Sequence, residues 1–222
     1  MNLLLNIACD DVNPSPNYRL IGTPAEKWFW QLHNEFGVKF DIFCPSNYHG
    51  KWRVSEHKNW VDELRSISFI NINAHGHFHS CTDSKSFGEM EFAEIKNVDV
   101  ATERIKMIYD EWGTSLKMGW RSPGWICSYA SKLVIEKNFQ YVALHYTHNL
   151  NLDWNCKKFF GHDGIDKTEL TVHNGNMIMI QSHIFGDHNY NVWNEHNYNN
   201  IRNNLRHLFD NFKITPKLLK EC

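Results

Sequence analysis

The sequence predicts an α/β fold: one domain over residues 1–222, with helices packed on a parallel sheet. Three observations carry this. Short apolar runs alternate with amphipathic stretches of helical period along most of the chain, the pattern of βαβ units. The length suits a single large α/β domain with a sizeable core. No linker and no internal repeat divides it.

The elements follow in order. Residues 3–9, Leu-Leu-Leu-Asn-Ile-Ala-Cys, read as a first strand. An export signal would need a basic segment ahead and a longer apolar run than Asn6 allows, so a cytoplasmic protein is expected. Residues 23–36 read as a helix, with Thr23 as N-cap, Pro24 at the first helical position, Glu26 three residues after the cap and Gly37 past the end. Residues 38–43 form the second strand, closed by Pro45, and 55–66 a helix with Trp60, Val61 and Leu64 on one face. Residues 69–74 form the third strand. Residues 91–112 carry Ile95, Val98, Ile105, Ile108 and Tyr109 at near-helical spacing before Gly113, and read as one helix. A weak strand at 116–120, a helix at 128–138, strands at 141–146 and 177–182 and a helix at 195–212 complete the series. Periodicity fails over 145–172, where a long loop is expected.

Composition narrows the function. Lys+Arg 23 against Asp+Glu 25 leave a formal charge of −2, which removes the electrostatic case for nucleic acid or anionic membrane. No apolar run approaches the roughly 20 residues of a membrane-spanning helix. The six cysteines, Cys9, Cys44, Cys81, Cys127, Cys156 and Cys222, are scattered without a C-x-x-C pair and read as free thiols. The Asn-rich run over 189–204 reads as compositional bias.

In α/β sheets, chemistry gathers at the carboxyl ends of strands. After the first predicted strand come Asp10 and Asp11, whose mutual repulsion calls for a cation or a proton. After the third comes His75-Gly76-His77-Phe78-His79, an H-x-x-x-H spacing that suits Zn²⁺ or a similar ion. His77 is expected to project away from the side shared by His75 and His79, and not to be a ligand. Arg121 lies between Trp120 and Trp125, where a sheltered guanidinium would seek a carboxylate such as Asp10. His183 ends the apolar run 177–180.

These four motifs in this order resemble the polysaccharide deacetylases, carbohydrate esterase family four with the chitooligosaccharide deacetylase homology domain. The match runs from Leu3 to about His183. The resemblance implies a distorted (β/α) barrel of about seven parallel strands. It implies a hydrolase that removes an acetyl group from an N- or O-acetylated sugar or glycan with one divalent metal, Zn first, with Co, Ni or Mn as alternatives. In that scheme Asp10 is the base, Asp11, His75 and His79 the metal ligands, Arg121 the residue that holds Asp10, and His183 the general acid. Trp120, Pro123, Gly124 and Trp125 would line the substrate, a backbone N–H near Gly124 would face the oxyanion, and Trp154 and Trp193 would offer further faces for a sugar ring. The chain departs from the family pattern at Val12, where Gly is usual after Asp-Asp, at Gly76, where Ser or Thr is usual, and at Ile184, where Asp often follows. The carboxylate supporting His183 falls to Asp153 or Asp163. Two other readings stand beside this one. Gly76-His77-Phe78-His79 also looks like part of a metallophosphoesterase site, although no early Asp-x-His accompanies it. A non-catalytic carbohydrate-binding relic of the fold would have no need of Asp10 and His183.

Overall fold

The computed structural model describes residues 2–80, 90–113, 118–145, 152–160, 163–165, 172–173, 176–185 and 192–222, without the side chains of Phe160, Asp163 and His173. Its elements are β1 (Asn2–Asp10), α1 (Pro24–Phe36), β2 (Phe40–Cys44), β3 (Asn47–Tyr48), β4 (Trp52–Arg53), α2 (Lys58–Ser66), β5 (Ile70–Ala74), α3 (Glu91–Glu94), α4 (Val98–Trp112), α5 (Tyr129–Asn138), β6 (Tyr141–Leu144), β7 (Lys157–Phe160), β8 (Asp163–Gly164), β9 (Val172–His173), β10 (Met177–His183), α6 (Glu195–Asn211) and β11 (Lys213–Pro216).

Local chemistry sets the helix ends. Thr23 is extended, Pro24 opens α1, and Gly37 closes it in the left-handed region at φ 68°. Glu26 reaches back to the N–H of Gly22 at 2.8 Å, one residue before the expected cap. The helix expected over 91–112 is two helices. Asn97 caps α4 by accepting the N–H of Asp99 at 2.7 Å, and a cap cannot lie inside a continuous helix. The helix expected from residue 55 starts at Lys58, after a 3₁₀ turn over Val54–Glu56.

The sheet runs β5-β2-β1-β10-β8, with all four pairings parallel, and β9 adds antiparallel to β10. Since β10 lines one edge of β1, the other edge is shared: β11 pairs with residues 2–5 and β2 with residues 7–9. Past β5 the expected strand at 116–120 contributes a single bridging residue. Trp120 links Ala74 to Val142, and so β5 to the parallel pair β6 and β7; residues 116–117 lie outside the described ones. The architecture is therefore a curled parallel sheet, a half-barrel. Among the described residues no pairing joins β7 to β8, and what they show is this half-barrel and not the full barrel of about seven strands. The loop expected over 145–172 holds β7, whose Lys-Lys-Phe-Phe lacks an unbroken apolar run, and β8, which is 2 residues long.

Strand alternation builds two cores. Leu3, Leu5, Ile7 and Cys9 face the helices, together with Phe40, Ile42, Ile178 and Ile180. Ala8, Phe43, Tyr141, Ala143, Phe159, Met177 and Met179 fill the concave side with Leu219. That inner side also holds a polar layer around Asp41, which is fully buried. Its carboxylate accepts Nδ2 of Asn6 at 2.7 Å, Asn71 at 2.7 Å and Asn73 at 2.8 Å, and the N–H of Leu219 at 2.8 Å. The Tyr141 hydroxyl lies 3.1 Å from Asp41 Oδ1 and 2.7 Å from Asn73 Oδ1. Among the described residues Cys9, Cys44, Cys127, Cys156 and Cys222 form no disulfide, while Cys81 lies outside the described residues. Among the described residues, no helix is long and apolar enough to cross a membrane.

Candidate metal centre

The carboxyl ends of β1, β5 and β10 bring Asp10, Asp11, His75, His79 and His183 together. On a regular strand Asp10 and Asp11 would point to opposite faces. Asp11 instead takes φ 62°, the left-handed conformation that Asp tolerates better than most residues, and both carboxylates reach the same site. Its turn is held locally: Asn13 Nδ2 donates to the Asp11 carbonyl at 2.7 Å, and Asn13 Oδ1 accepts the N–H of Ser15 at 3.0 Å. His79 takes φ 74° at the far end of its loop.

Asp11, His75 and His79 each offer one ligand atom, and these atoms lie within 4.8 Å of one another. Asp11 Oδ1 is 3.3 Å from His75 Nε2 and 2.9 Å from His79 Nε2; Asp11 Oδ2 is 3.8 Å from His183 Nε2. The hydrogen bonding of this group tests whether a cation fits. His75 Nδ1 lies 2.9 Å from the carbonyl of Arg121. A carbonyl only accepts, so Nδ1 carries a proton, and in the neutral ring Nε2 presents a lone pair to Asp11. Asp11 Oδ1 is buried and meets no donor in hydrogen-bond geometry, although both ring nitrogens lie close to it. A lone pair facing an orphaned carboxylate oxygen is a poor contact between bare protein groups and a suitable one around a cation. The donor set fits a divalent metal.

The charges around the group are strongly coupled. Burial pushes the Asp11 carboxyl up, and the His79 and His75 rings, when protonated, more than reverse this and hold it well below the usual carboxylate range, a compensation that a bound divalent cation would supply in their place. Burial pushes the His79 ring down, and Asp11 pulls it above its ordinary value. Burial also pushes Asp10 up, and the Arg121 guanidinium, with His75 and His183, brings it below the ordinary value.

Asp10 is buried and held on both oxygens. Arg121 Nη1 donates to Oδ1 at 2.5 Å, and Gln181 Nε2 donates to Oδ2 at 2.8 Å. The Arg121 contact is therefore one-pronged, through Nη1 alone. Arg121 is completely buried and lies between the rings of Phe43, at 4.0 Å, and Trp125, at 4.3 Å. Trp120, expected at the substrate, is instead a core residue. It is fully buried against Phe92 and Phe139, and its Nε1 donates to Ser122 Oγ at 2.9 Å. Trp154 and Trp193 are buried too, so neither offers a face to a sugar. Pro123 is buried, while Gly124, at φ 57°, and Trp125 are half-buried beside the site.

His77 stands outside the converging group, with Nδ1 2.7 Å from Ser46 Oγ. Burial, with Arg104 nearby, pushes its ring down to about 4, so it stays neutral. His183 is a quarter exposed and sits beside Asp10 in the register of β10 on β1. Among the described residues Asp11 is the one carboxylate in ion-pair range of His183. Asp153 is exposed in the segment before β7, and the Asp163 side chain lies outside the described ones.

Sequence reasoning missed two residues. Gln181 lies two positions before His183 on the same face of β10, and that period of two was the available signal. Glu91 accepts the backbone N–H groups of His77, Phe78 and His79 on Oε2 and pairs with Arg104 through Oε1. Burial pushes its carboxyl up, and Arg104 and the three N–H groups oppose that.

No family model matches this chain, and no curated protein matches it. Among solved structures it is similar to the Xyl-CE4 domain of a multidomain xylanase from the hindgut metagenome of Trinervitermes trinervoides, with 11% identity and a TM-score of 0.51. The alignment covers 100% of this chain and 89% of that one. At that identity the likeness is one of fold: the curled parallel α/β sheet is similar in architecture to a carbohydrate esterase family 4 domain.

Proposed function

We propose that this protein is a metal-dependent hydrolase that removes an acetyl group from an N- or O-acetylated sugar or glycan, with Asp11, His75 and His79 holding one divalent cation. The observation that carries the reading is the orphaned Asp11 carboxylate oxygen facing the imidazole lone pair of His75 at a strand end. The order of the four motifs and the likeness of fold to a carbohydrate esterase domain support it. When bound, the cation supplies a Lewis acid that lowers the pKa of a water and polarises the acyl carbonyl, which is the role expected of Zn²⁺, with Co²⁺, Ni²⁺ or Mn²⁺ as alternatives.

The chain's own residues do the rest. Asp10 takes the proton of the attacking water. Arg121 and Gln181 hold both of its oxygens, which keeps it ionised and fixes its direction. Phe43 and Trp125 clamp the guanidinium in turn, so the base is oriented by a packed stack and not by a mobile arm. His183, open to solvent, gives a proton to the departing amine or alcohol. Trp125 and Gly124 border the acetylated group. A two-metal phosphoesterase would need a second ligand cluster, and the described residues hold one.

The test is metal analysis followed by an acetate-release screen across N- and O-acetylated sugars. Metal-loaded Asp10→Asn should keep the fold and the metal and lose roughly 10²–10⁴-fold in turnover, the scale of general-base loss. Equal rates for wild type and Asp10→Asn would remove Asp10 from the mechanism. Phosphate release from aryl phosphates without acetate release would overturn the reading as a whole.

A further inference from the structure

The loop carrying the histidines has its backbone committed on both sides. The carbonyls of Gly76, His77 and Phe78 accept the N–H groups of Ser46, Asn47 and His49 at 3.1, 2.8 and 3.1 Å. The N–H groups of His77, Phe78 and His79 converge on one atom, Glu91 Oε2, at 2.8, 2.8 and 3.2 Å. Glu91 is 1% exposed. Its other oxygen takes Nη1 of Arg104, whose guanidinium lies 4.6 Å over the Phe78 ring. Glu91 is delivered there by the antiparallel bridge of Ser80 to Met90 and by its own N–H, which donates to the His79 carbonyl at 3.3 Å.

Gly76 makes the closure sterically feasible. It has φ 82°, and a Cβ there would lie 2.9 Å from Glu91 Oε2 and 2.8 Å from Pro123 Cγ. One of the three positions that depart from the family pattern, Gly76, is thus the one against which the carboxylate packs.

We propose that Glu91, braced by Arg104, is the positioning residue of the histidine loop. By gathering three successive N–H groups on one oxygen, as backbone nests do for anions, it fixes the left-handed turn at His79 and so the aim of that ring at Asp11. This inference rests on the reading of Asp11, His75 and His79 as a metal-binding group. A neutral group in place of the carboxylate would weaken three buried bonds at once.

The test is titration of the metal-free full chain with Co²⁺, read by equilibrium dialysis and by the visible d–d band, for wild type, His79→Ala, Glu91→Gln, Arg104→Lys and Arg104→Met. Wild type should take up one Co²⁺ and His79→Ala little. Glu91→Gln should bind about 10–100-fold more weakly with an altered band, the usual scale for a group that orients a ligand. Arg104→Met should weaken binding in the same direction, and Arg104→Lys should restore most of it. Folding is followed by circular dichroism, and if Glu91→Gln does not fold, Arg104→Met decides, because it leaves the three N–H bonds their acceptor. Folded variants that bind Co²⁺ as tightly as wild type, with the same band, would overturn this inference alone. A wild type that takes up no Co²⁺ would overturn the metal reading and this inference together.

Discussion

Trp120 and Trp125 sit five positions apart around Arg121, and the fold gives them opposite environments. Trp120 lies in the outer core between Phe92 and Phe139, whereas Trp125 covers the Arg121 guanidinium beside the site. Two substitutions should separate these roles. Trp120→Ala should cost about 3–5 kcal/mol of stability, the scale for emptying a large aromatic from a core. Trp125→Ala should cost less, about 0.5–2 kcal/mol for the lost stacking on Arg121, and lower kcat/KM for whichever acetylated sugar the screen identifies. Denaturant unfolding and steady-state kinetics on both variants check this, and a stable Trp120→Ala would show that the ring is not structural. From sequence the two tryptophans look alike, because nothing local says which side of a bridging residue faces the helices. Asp10, Asp11, His75, His79 and His183 were legible because titratable groups at several strand ends need a common cause. Glu91 was not, because it acts on backbone N–H groups, which every sequence has and no motif records.

At the scale of elements, apolar period fixes the long helices and strands well and their interruptions poorly. Residues 91–112 keep a helical spacing through Ile95 and Val98, yet the chain breaks there, because the Asn97 side chain offers the Asp99 N–H a better acceptor than a preceding turn would. Asn97→Ala should therefore cost about 1 kcal/mol, as for other N-caps, without touching metal uptake. Chemical denaturation beside a Co²⁺ titration would test this, and loss of cobalt binding would mean that the start of α4 is coupled to the histidine loop. β7, β8 and β11 escaped sequence reading for a different reason. β8 is 2 residues long, while β7 and β11, Lys-Lys-Phe-Phe and Lys-Ile-Thr-Pro, lack the unbroken apolar run that marks β6 at the same length of 4 residues, and β11 is defined by its seat beside β1 more than by its own residues.

The whole molecule is organised as a sheet whose concave side changes character along the strands, from the Asp41 layer through the Ala8 and Phe43 layer to the carboxylates and imidazoles at the carboxyl ends. The Asp41 layer makes a testable pH dependence. Burial, with the Asp41 carboxylate next to it, holds the Tyr141 phenol well above its ordinary value. Above the unfolded value of about 10 the unfolded chain releases this proton while the folded chain keeps it. The folded state then binds more protons, so stability falls as pH rises. Tyr141→Phe should start about 1 kcal/mol less stable at neutral pH, for its lost hydrogen bonds, and lose stability less steeply above about pH 10. Parallel slopes for the two proteins would show that another group governs the alkaline limb. The shared edge of β1 and the role of Trp120 as the residue whose backbone bridges β5 to β6 were not legible, since both are choices of partner and not of conformation. The alternation in β1 has one more consequence, for how the gene can change. Residues 3, 5, 7 and 9 serve the helices, while residues 6, 8 and 10 line the inner side. Loss of a single codon within that run would not simply shorten the strand: it would turn the residues on one side of the lesion inside out, setting Asn6 or Asp10 among aliphatic neighbours. Loss of two codons would preserve the faces and draw the carboxylates back by one pleat, about 6.6 Å. Length variation that this strand can survive comes in even steps.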